Sequence, residues 1–412
     1  MPLKFPFERP VTSLNARTTA ADARRTSTGN LPLTGLLALT ACSAIATANE
    51  SVPAGLLPQL ATGFGVTEAW AGQLVTACAL GSALAAIPLS AALRGWPRRR
   101  VLMLVLAAFF VCNAITTVSS SFSLTLVARL AVGLATGLVW SLLASYARRM
   151  VASSQQGRAL AIAMMGIPLA LSLGVPLSAF LGPRVGWRWI FAAMAAASLL
   201  LIVWARRTLP DFPGQDDRRP LQLRRTLNLP GVRPVLFVLM AWILAHYILF
   251  TYIAPFLAAH ELAGRLDTML LVFGIASLIG IGMVGALVDR WLRALVLVGL
   301  GTFAAVALTL GLCGHSTVAI GIAIAAWGLC FGGQPTLMQT ALADAAGDSA
   351  DVAQAMLVTV FNLSYAGSGA LGGILLATAG IGVMPWVILG MALIGLVVAW
   401  RAKTHGFAAR TT

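Results

Sequence analysis

The most prominent pattern in the sequence is a series of apolar runs separated by short polar segments. A helix needs about 20 predominantly apolar residues to cross the hydrocarbon core of a bilayer, and the runs have about that length. They do not alternate between apolar and polar residues, as the strands of a membrane barrel do. The pattern predicts twelve transmembrane helices, at residues 34–57, 69–92, 101–118, 124–147, 159–181, 187–205, 235–258, 268–288, 294–313, 317–341, 353–377 and 383–400.

Composition supports a membrane protein. Of the 412 residues, 59% are hydrophobic and only 10% are charged, whereas a soluble globular domain has roughly 25% charged residues. Because backbone polar groups must be paired within lipid, only helices and closed barrels span a bilayer. We therefore expect an all-α integral membrane fold, a bundle of twelve helices in two pseudo-symmetric halves of six.

The five cysteines all lie within apolar runs and lack the spacing of metal ligands. We expect them to be small packing residues and predict no metal, disulfide or cofactor. They are Cys42, Cys78, Cys112, Cys313 and Cys330.

The basic residues predict the orientation. If the N-terminus is cytoplasmic, 24 of the 28 Lys and Arg residues fall in cytoplasmic segments and only three, Arg184, Arg188 and Arg265, fall outside. This asymmetry satisfies the positive-inside rule. We expect a multi-pass protein of the cytoplasmic (inner) membrane with both termini cytoplasmic. The net charge of +15 is then a signal of topology, and we predict no nucleic-acid partner.

One long polar segment between spans six and seven divides the chain. The two sides also resemble each other, because SAALRGWPRRR (Ser90–Arg100) follows span two and GALVDRWLR (Gly285–Arg293) follows span eight. Transporters built from such repeats bind their substrate between the repeats, near the middle of the bilayer. The predicted organisation is a disordered cytoplasmic tail 1–33, a first half 34–205, a cytoplasmic linker 206–233, a second half 234–400 and a tail 401–412.

Two charged residues lie well inside the apolar runs. Glu50 is in span one and Arg129 is in span four. A charge at the centre of a membrane helix costs about 2.5–3.5 kcal/mol or more, so such residues are functional candidates. We predict that Glu50 takes up and releases a proton as water access alternates, and that Arg129 pairs with it, orients it or binds an anionic group. The alternatives are a purely structural ion pair and a Glu50 that only faces a water-filled vestibule.

Four stretches resemble the major facilitator superfamily, and within it the twelve-helix drug:proton antiporter group that includes sugar and nucleoside efflux permeases. The resemblance covers residues 34–400 and is specific to the superfamily rather than to a substrate. The stretches are NESVPAGLLPQLATGFGVT in span one, RLAVGLATG in span four, GIPLALSLGVPLSAFLGPRVGWRWIF in span five and FTYIAPFL (Phe250–Leu257) in span seven.

The chain departs from the family's cytoplasmic motif after span two, which has the form G-x-x-x-D-R-x-G-R-R. Ser90 stands at its first glycine, Arg94 at its aspartate and Pro97 at its later glycine. The resemblance implies that this aspartate pairs across helices and latches one conformation. The second copy keeps Gly285, Asp289 and Arg290. We therefore expect the latch to reside in Asp289, and whether Arg94 takes over the missing role stays open.

Further residues inside the spans are candidates for two other roles. Polar and aromatic side chains that can line a substrate cavity are Asn49, Asn113, Trp140, His246, Tyr252, Trp327, Gln334, Asn362 and Tyr365. Small or helix-bending residues that can serve conformational change are Gly133, Gly137, Gly166, Pro168, Gly174 and Pro176, together with the second-copy motif. Close packing alone also explains the second set. His246, with Tyr247 and Thr251 beside it, is a second site that can titrate.

These observations predict secondary active efflux of a small organic molecule, such as a drug, sugar or nucleoside, by proton antiport. The partners are the substrate, protons and the lipid bilayer, and we expect a monomer. The alternatives are a proton-coupled importer or a facilitative uniporter and, from other classes, a membrane enzyme or a non-transporting sensor. We predict no enzyme, since Glu50 and His246 stand apart from any nucleophile–base pair. The chain contains no G-x-x-x-x-G-K-[ST] motif to bind ATP.

Overall fold

The part of the chain that the structure describes is built from helices alone, as predicted. The structure is a computed structural model, and it describes residues 31–85, 89, 92–93, 95–152, 155–214, 223–313 and 316–408. Most of the predicted N-terminal tail therefore lies outside the described residues. So do Ser90 and Arg94 of the first cytoplasmic motif.

The described residues of the first six predicted spans are helical, apart from single breaks between helices, and residues 86–88 and 90–91 of span two lie outside them. Spans one and two are each broken into two helices, and span five is broken into three helices around a π-helical turn, Ala170–Gly174. The helices are α1 (Leu33–Gly55), α2 (Leu57–Phe64), α3 (Glu68–Ala71), α4 (Gln73–Leu84), α5 (Arg98–Val118), α6 (Phe122–Arg149), α7 (Gln156–Met164), α8 (Gly166–Leu169), α9 (Val175–Val185) and α10 (Trp187–Thr208).

The last six predicted spans are also helical. A short helix in the predicted linker, α11 (Leu223–Leu227), precedes them. The remaining helices are α12 (Val232–Thr251), α13 (Ile253–Ala259), α14 (Leu266–Leu312), α15 (Thr317–Gly332), α16 (Gln334–Ala346), α17 (Ala350–Thr378) and α18 (Met384–Arg401).

Helix α14 contains both span eight and span nine. At Trp291 the backbone leaves the helical region, with φ −122° and ψ 22°, inside the break predicted between residues 288 and 294. Among the described residues, nine stretches are long and apolar enough to cross a membrane, and the one containing α14 has 50 residues. The chain is thus a multi-pass membrane protein, while the count of twelve crossings and the division into halves remain predictions.

The breaks in spans one and five follow the prolines. Proline has no backbone N–H and its ring collides with the preceding turn, so it bends or ends a helix. Pro53 lies in the last turn of α1 and Pro58 in the first turn of α2. In span five the π turn lies between Pro168 and Pro176, where the extra residue per turn bends the helix.

Helices α4 and α6 pack with their backbones in close approach. A Cβ atom on Gly133 would lie 1.9 Å from the Cys78 carbonyl oxygen, and one on Gly137 would lie 2.5 Å from that of Ser82. Only glycine fits these positions. In the same way Gly166 of span five packs on α1, where a Cβ would lie 2.1 Å from the Thr40 carbonyl oxygen. A Cβ on Gly174 would touch only Ala170, at 4.0 Å.

The most extensive contacts between the two groups of six spans are made by two helix pairs. Helix α4 packs against α17, and α9 packs against α14. Near the second contact the Ser172 hydroxyl of the π turn donates to the Gly274 carbonyl oxygen of α14, at 2.9 Å. Helix α1 packs on α6, α7 and α10 and also contacts α12 of the second group. The buried acid of span one is thereby placed next to the interface between the groups.

The start of the predicted linker packs on the ends of α5 and α6. The ring of Phe212 lies edge-on to Tyr146, with centroids 5.2 Å apart, and the Arg149 guanidinium carbon lies 4.7 Å from its centroid. Asp211 accepts a hydrogen bond from the backbone N–H of Arg99 and lies 3.9 Å from its guanidinium. This ion pair is exposed, so its contribution to stability is small.

Candidate functional site

Glu50 is buried inside the bundle, with 8% of its surface exposed. Its Oε1 atom accepts a hydrogen bond from the indole Nε1–H of Trp140 on α6, at 3.2 Å. The last turns of α1 place Glu50 opposite α6 because these helices pack directly on each other. The carboxyl group is therefore held by a neutral donor in an environment that is almost closed to water.

Arg129 does not hold the carboxylate of Glu50. It is fully buried on α6, and its Nη2 donates to the backbone carbonyl oxygen of Asn49. No hydrogen bond or salt bridge joins the side chains of these two described residues, and Arg129 Nε and Nη1 have no partner in the described part of the chain. The guanidinium lies beside the Cys78 thiol and 5.8 Å from the ring centroid of Phe191.

The proline in α1 explains why Arg129 contacts a carbonyl. In a helix the carbonyl of residue 49 would accept from the N–H of residue 53, but Pro53 has none. The buried Asn49 carbonyl is left without its usual donor, and the guanidinium supplies one. Arg129 thus stabilises a broken turn of α1 one residue before Glu50, which fixes the position of the acid indirectly.

The backbone of Glu50 is also contacted from the last six spans. The Tyr365 hydroxyl on α17 donates to the Glu50 carbonyl oxygen, at 2.8 Å. The Tyr365 ring stacks on Tyr247 of α12, with centroids 3.8 Å apart and planes at 29°. Phe331 and Phe361 lie edge-on to the other sides of Tyr247. We call Tyr247, Phe331, Phe361 and Tyr365 the aromatic wall.

His246 is paired with Trp327 rather than with an acid. Its Nδ1 accepts a hydrogen bond from the Trp327 indole N–H, at 2.9 Å. His246 is 2% exposed, and its ring stacks on Phe331 with the planes at 3°. The pair therefore adjoins the aromatic wall and gives His246 no carboxylate with which to exchange a proton.

Among the described residues, no side-chain hydrogen bond joins Asn49, Asn113, Gln334, Asn362 or Tyr252 to Glu50. Asn113 and Gln334 are fully buried, and their amide atoms have no partner among the described residues. Asn362 donates to the carbonyl oxygen of Val358 on its own helix. The Tyr252 hydroxyl donates to the Gly369 carbonyl oxygen, at 2.8 Å. Asn49 reaches the site through its backbone only, since its side chain donates to Ile45.

The predicted conformational residues fall into two groups. Gly133, Gly137 and Gly166 lie where backbones approach closely, and Pro168, Gly174 and Pro176 surround the π turn. The second-copy motif is exposed at the end of span eight, just before the kink at Trp291. A Cβ on Gly285 would meet nothing within 4 Å. The role of Asp289 as the latch stays a prediction, and Arg94 lies outside the described residues.

The place of two phenylalanines in the aromatic wall could not be predicted from the sequence. Phe331 and Phe361 have no polar atom to mark them in apolar spans, so no signal in the sequence separates them from lipid-facing residues. Tyr247 was visible as a tyrosine beside His246, but its stacking on Tyr365 depends on the contact between α12 and α17.

This arrangement joins a buried acid, a broken helix and an interface between two groups of helices. Residues 39–367 match the family model described as Major Facilitator Superfamily. The chain belongs to the Major Facilitator Superfamily. It is a transporter-family protein, and the resemblance inferred from its motifs is confirmed.

The chain is also similar to two curated efflux pumps. The chain is 33% identical over 361 residues to the purine ribonucleoside efflux pump NepI of Shigella dysenteriae serotype 1 (strain Sd197), which covers 86% of this chain and 91% of that protein. It is also 33% identical over 361 residues to NepI of Escherichia coli (strain K12), with 86% of this chain and 90% of that protein covered.

Solved structures of the superfamily share the fold. A D-xylose-proton symporter superposes with a TM-score of 0.72 at 16% identity, covering 93% of this chain and 100% of that one. A bacterial homolog of the human lysosomal transporter Spinster, in an inward-facing and unoccupied conformation, superposes with a TM-score of 0.68 at 17% identity and the same coverage. At these identities the similarity establishes the fold alone.

Proposed function

We propose that this protein exports purine nucleosides, or planar molecules like them, in exchange for protons, and that Glu50 carries the proton. The observation that carries the proposal is the carboxyl group of Glu50, which is buried in a membrane helix and, among the described residues, accepts a hydrogen bond from the Trp140 indole N–H alone. The relatives that are 33% identical to it over 361 residues are efflux pumps for purine ribonucleosides. The superfamily fold supports alternating access between the groups of helices.

The contacts of Glu50 suit a group that changes charge. A buried carboxylate without a cation at contact distance is costly, so the group takes up a proton when the site is closed to water and releases it when water enters. The Trp140 N–H can donate to either charge state through an oxygen lone pair. Arg129 holds the backbone of α1 in place through the Asn49 carbonyl, with no salt bridge to the Glu50 carboxylate among the described residues.

The aromatic wall supports a flat substrate. Stacking of a base on an aromatic side chain is worth about 1–3 kcal/mol, with little dependence on the base. The stacked rings of Tyr247 and Tyr365 reach the backbone of Glu50, so a base against the wall would lie close to the acid. Binding of substrate and proton at adjacent places gives antiport if each binding event disfavours the other.

The orientation follows from the charge distribution. We infer that both termini and the linker 206–233 are cytoplasmic in the inner membrane, because short basic segments resist translocation. The protein is proposed to act as a monomer, in which the single chain supplies both sides of the substrate site.

Transport in inside-out vesicles tests the proposal. With an imposed proton gradient, acid inside, the wild type should accumulate radiolabelled inosine against its concentration, and Glu50→Gln should lose accumulation while keeping passive exchange. Glu68→Gln, which removes a carboxyl from the short helix α3, is the matched control and should transport as the wild type does. Accumulation by Glu50→Gln at the wild-type level would remove Glu50 from the mechanism. Accumulation only with the gradient reversed would indicate symport.

A further inference from the structure

The Trp327 hydrogen bond fixes the protonation of the His246 ring. An indole N–H can donate but cannot accept. The bond from Trp327 Nε1 to His246 Nδ1, at 2.9 Å, therefore requires a lone pair on Nδ1. A neutral imidazole has a single N–H, and in His246 that hydrogen must be on Nε2.

The surroundings of His246 favour this neutral form. The ring is enclosed by aromatic side chains: Phe331 and Phe250 are stacked on it, Phe273 is tilted against it and Tyr247 lies edge-on. Within the described part of the chain, no salt bridge or hydrogen bond joins an acid to the ring. A second proton would break the Trp327 bond and leave a buried cation without a counter-ion, which is costly.

The Nε2–H group has no protein acceptor in the described part of the chain. It is also not one of the fully buried polar atoms that lack a partner, so it keeps access to the small exposed surface of His246. The neighbouring residue, Tyr247, forms the centre of the aromatic wall. A fixed donor without an acceptor among the described residues thus lies next to the aromatic wall, against which the proposed function places a planar base.

We propose that His246 binds the substrate by donating its Nε2–H to an acceptor atom of a planar heteroaromatic ring, and that Trp327 is the positioning residue that fixes the donor. The inference rests on the proposed function, since it takes a nucleoside-like base as the substrate. Purine bases offer several acceptors in the ring plane, namely ring nitrogens and a carbonyl oxygen. A donor held in one tautomer selects for bases that present an acceptor there and against bases that present an N–H.

Binding to the purified full-length protein tests the ligand contact. The probe is inosine, compared with analogues that each lack one acceptor: 7-deazainosine, 3-deazainosine and the 6-deoxy compound. His246→Phe keeps an aromatic ring in the enclosure but removes the donor, and should bind inosine about tenfold more weakly. His246→Gln, whose amide N–H can take the place of Nε2–H, should recover most of the affinity.

Comparison of the analogues distinguishes a specific hydrogen bond from a general effect of the substitution on packing. For one of them the wild type and His246→Phe should bind with equal affinity, because that analogue already lacks the contacted atom. Inosine binding unchanged in His246→Phe, or an equal loss for inosine and every analogue, would overturn the proposal.

A second measurement does not depend on the substrate. In protein labelled with 15N-histidine, the resonances absent from His246→Phe identify this ring. The wild type should show a protonated Nε2 and an unprotonated Nδ1 near neutral pH, and Trp327→Phe should populate other forms. An imidazolium or an Nδ1–H tautomer in the wild type would overturn the assignment. If the wild type bound none of the nucleosides, both the proposed substrate class and the contact with His246 would be wrong. If the wild type and His246→Phe bound inosine equally well, the substrate class would stand and only the contact with His246 would be wrong.

Discussion

The contact between Arg129 and the Asn49 carbonyl makes a quantitative prediction about Pro53. If Arg129 replaces the donor that Pro53 cannot supply, restoring that donor should reduce the need for Arg129. Pro53→Ala returns an N–H four residues after Asn49, in register for the normal helical bond. Arg129→Leu should therefore be much less harmful when combined with Pro53→Ala than when made alone.

The size of the effect follows from the hydrogen bonds involved. A hydrogen bond to a charged group contributes about 1.5–3 kcal/mol, and a buried acceptor left without a partner costs about 1–3 kcal/mol. Arg129→Leu alone removes the first and creates the second at Asn49. In the Pro53→Ala background the carbonyl has a backbone donor, so we expect a coupling free energy of about 1–2 kcal/mol between the two substitutions.

The four proteins of this double-mutant cycle can be compared by their free energy of unfolding in lipid bicelles, measured by steric trapping. The cycle cancels other effects of removing Arg129, such as its contact with Phe191. Pro385→Ala in the first turn of α18, combined with Arg129→Leu, is the control and should be additive. Additivity of Pro53→Ala and Arg129→Leu within about 0.5 kcal/mol would refute the idea that the arginine compensates for the proline.

Three other predictions concern topology, the latch and helix packing. In a cysteine-free background, a cysteine at position 215 should react with an impermeant reagent only after the membrane is permeabilised, and labelling in intact cells would contradict a cytoplasmic linker. Asp289→Asn should impair transport severely and Arg94→Ala only mildly, so equal defects in a vesicle assay would mean that Arg94 has taken over the latch. Gly133→Ala should lower the free energy of unfolding by about 1–3 kcal/mol, because its Cβ would lie 1.9 Å from a carbonyl oxygen. Gly282→Ala, whose Cβ meets nothing within 4 Å, should unfold like the wild type.

The positions of the helices could be predicted because each depends on local sequence. Apolar length marks a span, and a polar or proline-containing segment ends it. The break near Trp291 was visible from the charges of Asp289 and Arg290, and the bend in span five from its two Gly-x-Pro pairs. Local signals of this kind predict the helices correctly because the bilayer leaves the backbone few alternatives to a helix.

The contacts within the site could not be predicted in the same way. The sequence shows that Glu50 and Arg129 are unusual, but the direction of an arginine side chain depends on which acceptor lies nearest after packing. That acceptor is a carbonyl freed by Pro53, a residue whose effect on Arg129 appears only when α1 and α6 are side by side. The contacts of Tyr365 with Glu50 and Tyr247 likewise join residues distant in sequence.

If Glu50 exchanges its proton for the substrate, binding of the substrate should release protons. Inosine is added to the purified protein in weakly buffered solution near neutral pH, and the released protons are followed with a pH indicator. The wild type should release protons in proportion to the inosine bound, and Glu50→Gln should bind inosine without releasing them. Equal proton release by Glu50→Gln and the wild type would exclude Glu50 as the source of the protons.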